Sequence, residues 1–222
     1  MKPWRLALFV AAGGGVVVGG GYWLISRSAM RYQVPAGARA FVIESEENFP
    51  TIKSGDVVTV RPVAENELKR GMMVTFLKPK RVPGAFRIAG LPGDRIELRH
   101  GVVVINGQES FKRSTGIEKR PRGFDLYLSI ERFPGEEGAH RMSERAYDTM
   151  PEVTVSPNHL FLLGDNRSNT YDSRYMGSPY AIQVKPRMVS TFLVTGRVDG
   201  ISMSPDGSRV GQPLDLPATA TK

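Results

Sequence analysis

The chain has 222 residues, 41% of them hydrophobic and 23% charged, enough for one well-buried domain with an elaboration and ordinary for a globular protein. It contains no cysteine, which excludes disulfides and thiolate chemistry, and its three histidines, His100, His140 and His159, lack metal-ligand spacing, so neither a metal nor a cofactor is expected. The net charge of +8 fits a membrane surface as well as nucleic acid, but the basic residues are scattered and no helix carries a Lys/Arg stripe, so no nucleic-acid partner is expected.

In chain order, Leu6 to Ile25 is an uncharged run between Lys2 and Arg5 on one side and Arg27 and Arg31 on the other. Its length matches the roughly 20 residues of a single bilayer crossing. Tyr22 and Trp23 suit a membrane interface, and Gly15 and Gly19 give small-xxx-small spacing. The apolar run is longer than a usual signal-peptide core and lacks a clear Ala-x-Ala exit, so residues 1–31 read as an uncleaved, single-pass helical anchor rather than a signal peptide. Positive charge flanks both ends, and the charge rule leaves orientation open.

Beyond the anchor the chain turns β-rich. Ala40 to Ile43, Val57 to Val60, Met73 to Leu77, Arg95 to Leu98 and Val102 to Ile105 are short apolar or β-branched runs. They are separated by Ser54-Gly55-Asp56, Pro83-Gly84, Pro92-Gly93-Asp94 and Asn106-Gly107. Asn106-Gly107 predicts a tight hairpin. Further strands are expected at Phe124 to Ile130, Val153 to Val155, Leu160 to Leu163 and Met188 to Val194, with brief helix at Glu65 to Arg70 and Ser143 to Tyr147. Residues 107–150 shift toward scattered basic side chains and then an acidic, Gly-rich patch, and read as a subdomain inserted into a core of 32–106 and 151–198. Residues 199–222 are polar, Pro- and Gly-rich, and are expected to be flexible.

Three stretches carry the chemistry. Gly164 to Gly177 follows a buried-strand pattern with a Gly-Asp-Asn corner, Gly164, Asp165 and Asn166, and places Asp172 two residues before Arg174, where a bidentate ion pair can fix a loop. Arg87 to Asp94 reads Arg-Ile-Ala-Gly-Leu-Pro-Gly-Asp, with Gly90, Pro92, Gly93 and Asp94 forming a turn. Phe41 to Asp56 contains Ser45, Pro50, Thr51 and Gly55-Asp56. In this order and spacing the three resemble the signature boxes of the signal peptidase I family, membrane-anchored peptidases of the Ser/Lys type. The resemblance spans about Phe41 to Phe192. It implies a mainly β fold, a signal-peptidase-like antiparallel domain with an inserted subdomain behind one transmembrane helix, with a cytoplasmic N-terminus and the main domain on the extracytoplasmic side.

The resemblance also assigns positions. Glu47 stands in the nucleophile slot and Phe86 in the general-base slot; Asn48 replaces a Met, and Thr170 stands where a Ser hydrogen-bonds the Lys. Ser45, Asn48, Pro50, Thr51 and Thr170 fall on the cleft side, while Arg87, Gly90, Pro92, Gly93, Asp94, Gly164, Asp165, Asn166, Asp172 and Arg174 support it. A Ser is a weak nucleophile until a base takes its proton, and neither member of that pair is present. The expected function is therefore a family member without Ser/Lys peptidase activity that binds an extended peptide, such as a signal peptide, or partners an active peptidase or secretion complex. An active peptidase with a relocated nucleophile such as Ser45, served by Lys53 or Lys80, is one alternative; a structural envelope protein is another. A Glu47–Asp172 acid pair and the Ser202-Met203-Ser204-Pro205 echo of the nucleophile box are weaker readings. Glu44, Glu46 and Glu47 either form a solvated edge or favour basic partners.

Overall fold

The computed structural model describes residues 10–11, 15–18, 21–23, 37–77, 83–120, 124–144, 148–175 and 188–221. Within the expected anchor the described parts are three short antiparallel strands, β1 (Val10–Ala11), β2 (Gly15–Val18) and β3 (Gly21–Trp23). This differs from the helix expected there. Valine loses χ1 freedom in a helix and glycine loses the most backbone freedom, so the Val/Gly composition favours strands over helix. The rest of the anchor lies outside the described residues, and among the described ones no helix is long and apolar enough to cross a membrane.

The body is mainly β. Its first strands are β4 (Arg39–Val42), β5 (Val57–Arg61), β6 (Met73–Leu77) and β7 (Pro83–Gly90). Next come β8 (Arg95–Arg99), β9 (Val102–Ile105) and β10 (Gln108–Glu109). The middle of the chain supplies β11 (Phe111–Glu118), β12 (Leu126–Arg132) and β13 (Ala139–Glu144). The last are β14 (Met150–Thr154), β15 (His159–Leu163), β16 (Val189–Ser190), β17 (Val194–Met203) and β18 (Asp215–Leu216). A seven-stranded antiparallel sheet runs β16-β15-β7-β6-β17-β5-β4, and two four-stranded sheets run β10-β9-β8-β14 and β11-β12-β13-β18.

Local sequence explains much of this. Asn106 and Gly107 both take positive φ, 52° and 81°, as the two-residue β9–β10 hairpin requires. Along β7, side chains alternate between faces: Ala85 packs with Ile43, Ile52 and Met73, whereas Phe86 and Ile88 pack with Val74, Phe76, Leu160 and Leu162.

Several expectations are corrected. Glu65 to Arg70 yields only a 3-10 turn, Glu65–Glu67. Ser143 and Glu144 end β13 instead of starting a helix, because they pair with Leu128 and Tyr127 of β12 and are buried; 145–147 lie outside the described residues. The strand expected over Met188 to Val194 is broken by a 3-10 turn, Thr191–Leu193. The polar tail is not loose: β17 runs on to Met203, Leu214 is buried in the core, and β18 pairs with Ala139 and His140. A buried ion pair between Arg209 and Asp56 (2.5 Å) anchors the segment between them.

Candidate functional site

The segment after β4 is closed into a loop by backbone hydrogen bonds from Ile43 N to Asp56 O (2.8 Å) and from Gly55 N to Ile43 O (2.7 Å). Ile52, fully buried, ties the loop to the core, and the Asp56 carboxylate accepts from Lys53 N at 2.8 Å. The peptide between Phe49 and Pro50 is cis. Asn48, buried, donates through Nδ2 to Ala85 O at 2.7 Å, so the Glu47–Asn48 segment lies against β7 one residue before Phe86.

The Gly164 to Arg174 loop closes over the same segment. Asn166 donates its backbone N–H to Glu47 O and its Nδ2 to Glu46 O, both at 3.0 Å. Gly164 is required by this close approach: a Cβ there would lie 2.6 Å from Glu47 O and 2.3 Å from Thr170 Oγ1. Glu47 accepts from Ser45 Oγ (3.2 Å) and from Tyr171 N (3.3 Å). Among the described residues, Thr170 Oγ1 and Asn48 Oδ1 are buried without a hydrogen-bond partner.

Below the loops lies the charged support. Arg87 and Asp165 are both fully buried and meet in a bidentate pair, Nε–Oδ1 2.8 Å and Nη2–Oδ2 2.9 Å. Thr51 Oγ1 donates to Asp165 Oδ2 at 2.6 Å, and Arg87 Nη1 donates to Gly71 O (2.6 Å) and Asp215 Oδ1 (2.5 Å). Burial pushes the Asp165 carboxyl upward, but the Arg87 charge and hydrogen bonds outweigh it and hold it below the ordinary carboxylate range. Asp172 and Arg174 form a second bidentate pair, with both contacts at 2.9 Å, and Asp172 also accepts from Gly164 N at 3.1 Å. Asp94 caps its turn by accepting from Leu91 N (2.7 Å), Arg70 Nη2 (2.6 Å) and Asn106 Nδ2 (2.8 Å). Gly93 turns there at φ 87°, and Gly90 lies under Val155, 2.9 Å from where a Cβ would stand.

Three supports have no local sequence signal: Asp215 on Arg87, Arg209 on Asp56, and a buried cluster behind the loop. In that cluster His140 sits between Glu131 (3.2 Å) and Glu136 (3.1 Å), and Glu131 also binds Arg167, whose Nε donates to Gly164 O at 3.1 Å. Burial and the Arg87 charge lower the His140 pKa, yet the two carboxylates prevail and raise it overall. A raised folded-state value means His140 adds stability that is fully present below about pH 6.5 and is lost as pH rises through the folded value. Denaturant unfolding from pH 5 to 9 is expected to show that alkaline decline, and His140→Gln to flatten it. An unchanged profile in the variant would assign the decline elsewhere.

Among the described residues, the alternative partners are engaged elsewhere. Lys53 Nζ lies over the Phe49 ring at 5.4 Å, Asp172 is engaged by Arg174, and Lys80 lies outside the described residues. Ser202 is buried in β17 and donates to Val57 O at 3.1 Å.

The family "Signal peptidase, peptidase S26" matches residues 22–199. The chain belongs to that family. A signal peptidase I of Bacillus caldolyticus is 29% identical over 143 residues, covering 62% of this chain and 69% of the relative. One from Pseudomonas fluorescens is 28% identical over 208 residues, covering 81% and 70%. The crystal structure of a signal peptidase I from Enterococcus faecalis V583 aligns with a TM-score of 0.34 at 22% identity, covering 59% of this chain and 95% of that one.

Proposed function

We propose that this chain is a membrane-associated signal peptidase homologue that does not cleave by the Ser/Lys route and instead holds an extended peptide, such as a signal peptide, or a partner in secretion. The observation that carries the reading is the pair Glu47 and Phe86 in the slots for the nucleophile and its base. A carboxylate is a poor nucleophile toward an amide, and a phenyl ring cannot accept a proton. Phe86 is fully buried, its ring 5.3 Å from that of Phe76, in a cluster with no place for an ammonium. The partnerless Thr170 Oγ1 supports the same reading, since its counterpart in the family hydrogen-bonds the lysine.

Peptide binding needs an open strand edge, and among the described residues β4 is the last strand of its sheet. An extended peptide can add to such an edge through its backbone. Glu44, Glu46 and Glu47 at the rim favour a basic flank on that peptide.

Membrane association rests on the uncharged run Leu6 to Ile25. An open three-stranded sheet would leave polar edges in lipid, so a crossing requires that run to be helical in a bilayer.

One observation favours an active enzyme: Ser45 Oγ donates to Glu47 Oε2. A carboxylate is, however, a far weaker base than a neutral amine. A serine-reactive covalent probe applied to the full chain in detergent tests both readings. No labelling is expected, with a fluorescent signal-peptide analogue bound and recovered intact; labelling abolished by Ser45→Ala would establish the enzyme instead.

A further inference from the structure

We infer that residues 204–221, beyond the stretch that the family matches, form a strap whose grip on the Phe41 to Asp56 loop governs how well the cleft holds its peptide. This deepens the peptide-binding reading proposed above and rests on it. Three tail side chains carry the grip, and all three end at that one loop. Arg209, buried, pairs with the fully buried Asp56 through Nη2–Oδ1 (2.5 Å) and Nε–Oδ2 (3.2 Å). Asp56 O accepts from Ile43 N, so this pair sits where the loop closes. Leu214 is buried in the cluster that contains Ile43 and Ile52, one near each end of the loop. Asp215 accepts from Arg87 Nη1, and Arg87 passes that hold through Asp165 to Thr51. One segment thus fixes the loop at positions 43, 51, 52 and 56.

The strap itself is lightly attached. The chain between its anchors is exposed, at Pro205 to Ser208 ahead of Arg209 and at Gly211 to Pro213 ahead of Leu214. β18 makes two residue pairs, Leu216 with Ala139 and Asp215 with His140, at the end of its sheet, and the Asp215 side chain is half-exposed. A segment with few buried contacts opens more readily than the sheet it lies on. When it lifts, Asp56 loses the cation paired with it and a gap opens beside Ile43 and Ile52. An uncompensated buried charge and a core cavity are both unfavourable, so the loop has to shift as the tail leaves. β4 runs directly into this loop, and the loop carries Glu44, Glu46 and Glu47, so the edge and the rim that meet the peptide move with it. Coupling is reciprocal: a peptide that prefers the ordered loop also holds the strap down.

Arg209→Gln and Asp215→Ala release two different anchors. In the full chain in detergent, backbone hydrogen exchange would be read at Ile43, Ile52 and Gly55, whose N–H groups all bond within the loop. The β8–β9 ladder is the control, since its core cluster includes no tail side chain. In both variants the loop amides are expected to exchange faster, and a fluorescent signal-peptide analogue to bind more weakly, each by roughly 5- to 150-fold, the usual range of coupling between sites. The control amides are expected to keep wild-type rates, and Arg209→Lys, which retains the charge, to restore most of the slow exchange. Unchanged loop exchange would overturn the inference. So would equal acceleration of loop and control, which would make the tail a general stabiliser, or faster loop exchange with unchanged peptide affinity. A wild type that binds no analogue would refute the peptide-binding reading, and this inference with it.

Discussion

Asp165→Ala is expected to lower unfolding free energy by about 3–5 kcal/mol, the loss seen when one partner of a buried ion pair is removed. Arg87 would be left fully buried with its bidentate acceptor gone, keeping the partly exposed Asp215 as an ion-pair partner and the more distant charge of Glu136. Thr51 would lose its shorter contact and keep Arg141 O at 3.2 Å, so the Phe41 to Asp56 loop and the Gly164 loop would loosen together. The double change Arg87→Met with Asp165→Leu is expected to recover much of the loss, since well-packed apolar replacements of a buried pair are often neutral or better. Denaturant midpoints in detergent read both. A loss below about 1 kcal/mol in the single variant would mean that water already reaches Arg87. The depressed Asp165 value has its own signature: the stability it contributes is present above about pH 3.9 and is lost as pH falls through its folded value.

Phe86→Lys is the second large effect. The site is fully enclosed by Val74, Phe76, Ile88, Leu160, Leu162 and Val189. Replacing the ring forfeits about 3–5 kcal/mol of packing in the worst case, and burial drives the new amine toward its neutral form, lowering its pKa by up to ~3–5 units. The folded value then lies below the unfolded ~10.4, so the variant should be most stable above that pH and weaken as pH falls toward the folded value. Unfolding measured from pH 7 to 11 checks this. A profile parallel to that of the wild type would mean that the ammonium reaches water. A buried, neutral amine is also what a lysine base requires, so the packing that makes Phe86 comfortable is the environment a Ser/Lys site would exploit.

What was legible in the sequence was local. Gly/Pro/Asp punctuation and alternating β-branched residues gave most strands of the body, and Asn106-Gly107 gave its hairpin. Asp172 and Arg174, two residues apart, could be read as a pair because their geometry is set by the segment that carries both. The long-range supports could not be read. Thr51 meets Asp165 across 114 positions, Arg87 meets Asp215 across 128, and Asp56 meets Arg209 across 153. No periodicity encodes such contacts; the first arises because β15 pairs with β7 and carries Asp165 to the loop, the other two because β17 inserts between β5 and β6 and brings the C-terminal segment back. The tail misled for the same reason. Its polarity hid Arg209 and Leu214, side chains whose burial depends on partners elsewhere in the chain. At the N-terminus hydropathy reported an apolar run but not its conformation, and the Val/Gly content pulls the described parts toward strands.

The central claim is that the cleft persists and the dyad is gone. The most direct measurement is cleavage of a model preprotein by the full chain in detergent, run beside the double variant Glu47→Ser with Phe86→Lys. The expected result is an inert wild type and cleavage at the signal-peptide junction by the double variant, slowly at first measurement and faster as pH rises through the lysine's lowered pKa. Cleavage at that junction by the wild type itself would contradict the account, and its persistence or loss in Ser45→Ala would then say where the nucleophile is.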